Sequence, residues 1–212
     1  MAAIAGINVL ALTDHNTCKN CPAFFEAAKR NGIIPIAGME LTTAEDIHIV
    51  FLFEELEDAM KFGDEIEKRR ILIENRADIF GDQLIMNGQD EVIGEEKYLL
   101  SNATSVTIDD CPKLASEFGG ICYPAHIDRE SNGAISTLGT FPDWLDFKLF
   151  ELHDGSLEAE YREKYPLKGR KAVVGSDAHY LWDIRDKDKY FLIDDEPYSS
   201  KLVRKRIFEV LR

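Results

Sequence analysis

The sequence predicts an α/β fold built on a mainly parallel sheet or barrel, and three observations carry that expectation. Short apolar runs rich in β-branched residues alternate with helical patterns along the chain. Several runs end on side chains able to do chemistry: 9–13 leads to Asp14 and His15, 33–37 to Gly38 and Glu40, and 120–124 to His126. Likewise 147–152 leads to His153 and Asp154, and 172–175 to Asp177 and His179. In β/α barrels the loops after the strands converge on one face, so such residues would meet there. Finally, 212 residues of ordinary composition, 45% hydrophobic and 30% charged, suit one globular domain spanning 1–212.

Each element has its own signal. Residues 2–6 read as the tail of a helix that precedes the strand at 9–13. A helix over 22–31 places Phe24, Phe25 and Ala28 at helical spacing, and Gly32 stops it. Seven residues separate Glu40 from His48, whereas a helical crossover needs about a dozen or more. The run 47–53 therefore returns as a hairpin or hugs the barrel mouth, bringing His48 near Glu40. Residues 79–100 break the alternation. There, runs 83–86 and 91–93 flank Asn87-Gly88, a hairpin signal. This insertion either caps the site or decorates the surface. A late strand at 190–193 and an amphipathic helix over 199–211 close the chain.

Composition excludes several classes. A net charge of −14 repels phosphate backbones and anionic lipids, so extended nucleic-acid binding is not expected. No apolar run reaches the roughly 18 residues of a membrane helix. The apolar opening has no basic n-region and runs into Thr13-Asp14-His15-Asn16, which argues against a signal peptide. Four cysteines without an export signal fit a reducing cytoplasm. Cys18 and Cys21 form a lone CxxC, read as two thiols in a polar loop rather than a structural zinc site.

The chain has five histidines, and four sit in polar settings beside predicted strands: His15, His48, His126 and His179. Singly, each could be a hydrogen-bonded core histidine, and Glu40 a salt-bridged acid. Together, imidazole and carboxylate at strand ends form the mixed N/O set that Zn, Mn and Fe prefer. Asp177 and His179, two residues apart on an extended segment, would point the same way. His153 reads as a strand-to-turn corner outside the site.

These motifs resemble those of the PHP (polymerase and histidinol phosphatase) superfamily. The resemblance rests on Thr13-Asp14-His15-Asn16, Gly38-Met39-Glu40, His48 before an apolar strand, Pro124-Ala125-His126 and Gly175-Ser176-Asp177-Ala178-His179. It implies a distorted seven-stranded β/α barrel that holds two or three divalent metals and hydrolyses phosphate esters. The implied ligands are His15, Glu40, His48, His126, Asp177 and His179, with Glu40 bridging two ions and Asp14 orienting an imidazole. Family members begin with a strand carrying His-x-His. Here Met1 falls in the tail of the following helix, so up to three ligands are expected outside this chain. A truncated start or a degenerate relative would each explain this, and a truncated start implies low activity.

In a complete site, two metals would hold a hydroxide and polarise the phosphoryl oxygens. Asp177 or His179 could serve the leaving group. Arg129 and Arg185 are candidate phosphate anchors, with surface ion pairs as their alternative role. The expected function is therefore a cytoplasmic, metal-dependent phosphoesterase acting on a small phosphorylated metabolite or nucleotide. A noncatalytic module binding a partner protein is the alternative, and an amidohydrolase a third reading. Oligomeric state is left open.

Overall fold

A computed structural model describes residues 1–185, 190, 192–193 and 199–212. Residues 1–7 make one helical turn closed by the Ile7 N–H on the Ala2 carbonyl (3.0 Å), with Gly6 left-handed at φ 74°. That is the glycine-capped end expected of a helix tail. Strand β1 (Val9–Leu12) then runs parallel to β2 (Ile34–Thr42), connected through helix α1 (Cys21–Arg30). Pro22 occupies the first turn of α1, where a missing N–H costs nothing. Strand β3 (His48–Phe53) returns antiparallel on β2, pairing Thr42 with His48 and Glu40 with Val50. Asp46, at φ 65°, and a Thr43–Ile47 backbone bond of 2.9 Å close this hairpin.

Helix α2 (Leu56–Glu67) follows, and then an insertion containing α3 (Ala77–Phe80), β4 (Leu84–Met86) and β5 (Val92–Glu95). Next come α4 (Cys111–Glu117) and β6 (Ile121–Pro124), which pairs antiparallel with β3 to complete the order β1-β2-β3-β6. After α5 (Ala134–Leu138), strand β7 (Leu149–Leu152) pairs in parallel with β8 (Lys171–Val174) around α6 (Glu158–Lys164). The Ile127 N–H donates to the Glu151 carbonyl (2.9 Å), tying β7 to the segment after β6. Helix α7 (Ser200–Leu211) closes the fold, with the Ser199 side chain capping its first turn.

The expectation of a mainly parallel sheet needs correction, because β3 reverses. The chain between Thr42 and His48 is too short to cross over, so pairing with β2 can only be antiparallel. The strands of the described residues form open sheets rather than a closed seven-stranded barrel. The expected strand at 190–193 includes Phe191, which lies outside the described residues, and its described neighbours form no strand.

Alternation along the strands divides the interior in two. Ala37, Met39, Leu41, Ile49, Phe51 and Phe53 point to one face and pack under α1, α2 and α4. Phe62 of α2 anchors that layer, stacking on Phe51 with ring centroids 4.6 Å apart and leaning on Phe53 at 5.0 Å. On the opposite face, Ile36, Val50, Leu52, Tyr123 and Leu149 receive Val203, Ile207, Phe208 and Leu211 of α7. Glu40 and His48 share that second face by strand parity, beyond the stretch that α7 covers.

The insertion is a β-hairpin around Asn87-Gly88 as expected, though the Asn87 N–H bonds to the Glu91 carbonyl (2.9 Å) across a longer loop than a two-residue turn. It leans on the start of α1, where the Asn20 amide bonds both the Leu84 carbonyl (3.1 Å) and the Met86 N–H (2.9 Å). Cys18 and Cys21 correct another expectation. Both are buried at 1% exposure, and both thiols face the Gly38 carbonyl, 3.3 and 3.6 Å away. They are core residues because α1 presses its first turn onto β2. Among the described residues, no helix is long and apolar enough to cross a membrane.

Candidate metal centre

Glu40 is the hub. It sits in the interior of β2 rather than beyond its end, 6% exposed, on the face that β3 and the segment after β6 also line. Its Oε2 lies 3.4 Å from His15 Nδ1, and its Oε1 lies 3.4 Å from both His48 Nδ1 and His126 Nε2. Each imidazole arrives differently. His15 follows β1 and makes a parallel bridge with Glu40, using backbone bonds from Glu40 to Asp14 (3.2 Å) and from Asn16 to Glu40 (3.0 Å). His48 opens β3, and His126 follows β6 at φ 28°, a strained value for a non-glycine residue. His48 Nδ1 and His126 Nε2 approach to 3.3 Å, and the His15 and His48 rings to 5.0 Å between centroids.

Electrostatics reinforces the hub. Burial alone would raise the Glu40 pKa, but the His126 and His48 rings against its oxygens outweigh that and hold it well below the carboxylate range. Burial opposes protonation of His126 too, yet contact with Glu40 wins and raises its pKa. For His15 burial dominates, keeping the ring below the usual imidazole range and therefore neutral.

The donor set fits a divalent metal. Ligand atoms of His15, Glu40 and His48 all lie within 4.8 Å of one another. The Nδ1 atoms of His15 and His126 are buried with no hydrogen-bond partner, a costly state for a polar atom that an ion would relieve at His15. Neutral imidazole beside an ionised carboxylate is the protonation state a metal requires.

Asp177 and His179 lie in the loop after β8. The His179 ring is 6.0 Å from that of His15 between centroids, so the loop adjoins the hub. Asp177, at φ 46°, is paired with Arg129 Nη1 at 2.5 Å, and its backbone carbonyl meets His179 Nδ1 at 2.9 Å. Arg129, Arg185, His153, Ser176, Asp177, His179, Tyr180 and Asp183 line an open cleft of about 560 Å³. His153, expected outside the site, instead forms part of this wall. Its Nδ1 is 3.3 Å from Arg129 Nη2, and its carbonyl accepts from Arg185. Asp128 holds that corner by accepting the N–H groups of His153 (2.7 Å) and Asp154 (2.8 Å).

Asp14 does not orient an imidazole. Its carboxylate accepts from the Asn20 amide (3.2 Å) at the start of α1, and burial raises its pKa. Sequence reading also missed Glu151. This residue lies in β7, 7% exposed, and accepts the His126 N–H at 3.3 Å. Burial, with Glu40 and Asp177 nearby, pushes its pKa up to about 7. Gly175 makes room for it, since a Cβ there would fall 1.7 Å from Glu151 Oε1. A lone acid between Phe150 and Leu152 in a fully buried strand was the available signal.

A family model described as the PHP domain matches residues 1–118, more than half of the chain. The chain belongs to the PHP domain family. The match includes His15, Glu40 and His48 of this PHP domain, while His126, Asp177 and His179 lie beyond it. The chain is also similar to the PolC-type DNA polymerase III of Thermotoga maritima, with 41% identity over 59 residues, 28% of this chain and 4% of that protein. Its fold is similar to that of the lesion-specific endonuclease PfuEndoQ from Pyrococcus furiosus. That match has a TM-score of 0.59 and 16% identity, covering 99% of this chain and 49% of the endonuclease. The chain thus spans about half of that structure and a small fraction of the polymerase. The matched region contains the His15, Glu40 and His48 cluster that could hold a metal ion.

Proposed function

We propose that this PHP domain is a metal-dependent phosphoesterase that hydrolyses a small phosphorylated metabolite or nucleotide. The observation that carries the reading is the convergence on Glu40 of three imidazoles from three separate elements, each 3.4 Å from its carboxylate. A core built only for stability would not leave His15 Nδ1, one of the nitrogens facing that carboxylate, buried without a hydrogen-bonding partner. The same fact disfavours the noncatalytic partner-binding module.

In this reading His15, Glu40, His48 and His126 hold the metal, with Asp177 and His179 completing the set from the loop after β8. A divalent ion such as Mn, Zn or Fe supplies Lewis acidity toward phosphoryl oxygens and acidifies water. The protein's own groups do the rest. Glu40 stays ionised throughout the neutral range and keeps the imidazoles in place. Arg185 presents a guanidinium fork to the phosphate, while Arg129 is shared between Asp177 and the substrate. His179, the most exposed of the four site histidines, faces solvent where a leaving alkoxide would take a proton. The −14 charge suits a small substrate over a long polyanion.

The test is phosphate release from a phosphomonoester by purified protein supplied with manganese. Release that stops on chelation and in Glu40→Gln supports the proposal. Manganese binding without release from any phosphomonoester would overturn it.

A further inference from the structure

Beside the cleft, the loop after β8 carries the sequence Tyr180-Leu181-Trp182, with all three side chains exposed, Tyr180 at 62% and Trp182 at 76%. Exposed aromatics are common singly, but these two are organised. Their rings stack with centroids 4.9 Å apart and planes only 4° from parallel. Residues two apart achieve this because the chain turns: the Asp183 carboxylate accepts the Tyr180 N–H (3.0 Å), and the Asp183 N–H returns to the Tyr180 carbonyl (3.0 Å). The turn fixes Tyr180 in the cleft wall next to His179, Arg185 and Asp177, with Trp182 stacked on it. A preformed two-ring stack open to solvent, at the edge of a cleft holding two guanidinium groups and adjoining a metal centre, fits a ligand with one planar aromatic end and one anionic end.

We propose that Tyr180 and Trp182 form a stacking platform for the base of a nucleotide whose phosphate enters the cleft, so that the substrate is a base-bearing phosphoester rather than a sugar phosphate. This rests on the phosphoesterase reading and narrows its substrate class. Base–aromatic stacking is worth roughly a 5- to 150-fold change in affinity when the aromatic residue is truncated to alanine, and it tolerates any base because every base has a π-face. A free mononucleotide and the end of a short oligonucleotide share the required chemistry, and the net charge favours the former.

The chain has two tryptophans, so Trp144→Phe leaves Trp182 as the sole indole reporter. In that background, with manganese present, the probes are adenosine 5′-monophosphate, adenosine, ribose 5-phosphate, inorganic phosphate and an adenine dinucleotide. Saturable quenching of Trp182 by the nucleotide, and none by ribose 5-phosphate or phosphate, is the expected result. A dinucleotide binding no tighter than the mononucleotide would identify the free nucleotide as the ligand. Calorimetry on the otherwise unaltered chain should show Trp182→Ala and Tyr180→Ala each weakening the nucleotide by at least about fivefold, leaving ribose 5-phosphate unaffected, with Trp182→Phe restoring most of the loss. Circular dichroism confirms that each variant is folded. Equal affinities for nucleotide and ribose 5-phosphate in the parent chain, unchanged in folded Trp182→Ala and Tyr180→Ala, would overturn the platform. Quenching without phosphate release from any ester would instead remove the phosphoesterase reading and leave base binding in place.

Discussion

Two parts of the candidate site are built in opposite ways. The Glu40 hub stands on strands: β2 supplies the carboxylate, β3 opens with His48, and backbone bonds lock His15 alongside. Its acid and the His126 ring are almost fully buried, and its donor atoms face one another. The Asp177–His179 arm stands on a loop, pairs internally with Arg129, and leaves His179 more than half exposed. Strand-held donors are preorganised for an ion whether or not one is bound. In the loop, Asp177 is already satisfied by the Arg129 guanidinium and must exchange that partner for metal or substrate. The difference teaches that affinity for the ion should reside in the hub, and selectivity for what the ion acts on should reside in the arm.

The sharpest way to break this contrast is Glu40→Gln, which removes the only acid among the four hub residues. Manganese affinity should fall by about 100-fold or more, since even groups that merely support a ligand cost 10–100-fold, and isothermal titration would measure it. Retention of parental affinity would move the metal site elsewhere.

Second in size is Glu151→Gln, which keeps an acceptor for the His126 N–H and removes an ionisable group. The Glu151 pKa is about 7 in the folded protein against 4.5 ordinarily, so the unfolded chain loses its proton first. Metal-free stability is therefore full below pH 4.5, falls as pH rises toward 7, and is level above. The variant should gain up to about 3 kcal/mol over the parent at pH 8 and nothing at pH 4, read from urea midpoints. An equal effect at both pH values would show that Glu151 acts through packing alone.

Third, Asp177→Asn should weaken manganese by only about tenfold while freeing Arg129, because the arm contributes less than the hub. A loss as large as that of Glu40→Gln would erase the distinction between the two regions. Smallest is the acid limb of metal binding. Glu40 raises the His126 pKa, so protons compete with the ion as pH falls through that raised value. Affinity should decline as pH falls through that raised value, and a His126→Asn variant should show a shallower slope in the same titration.

Much of the hub was legible in the chain because its members are polar residues in or beside apolar runs, and strand parity then dictates the face that Glu40 and His48 share. His48 beside Glu40 followed from arithmetic alone, since seven residues cannot hold a helical crossover. The same arithmetic offered a hairpin return for this run, and β3 does pair antiparallel with β2. Glu151 stayed hidden because one acid in a buried apolar strand carries no periodic signal, and its role depends on pairing between β7 and the segment after β6. Asp14 and the CxxC were misjudged for a related reason. Local polarity indicates what a residue is, whereas the docking of α1 on β2 decides what surrounds it.

Asn16 gives the insertion a meaning that its surface position conceals. Its amide nitrogen reaches the carbonyls of Leu100 (2.6 Å) and Asn102 (2.8 Å) at the hairpin's root, and its amide oxygen takes the Thr42 N–H (2.9 Å). A single side chain adjoining His15 thus rivets three stretches of backbone that are distant in sequence. Lengthening the excursion near Gly88 should leave the Glu40 hub undisturbed, whereas a one-residue change at 100–102 would be transmitted through that rivet to the imidazole next door.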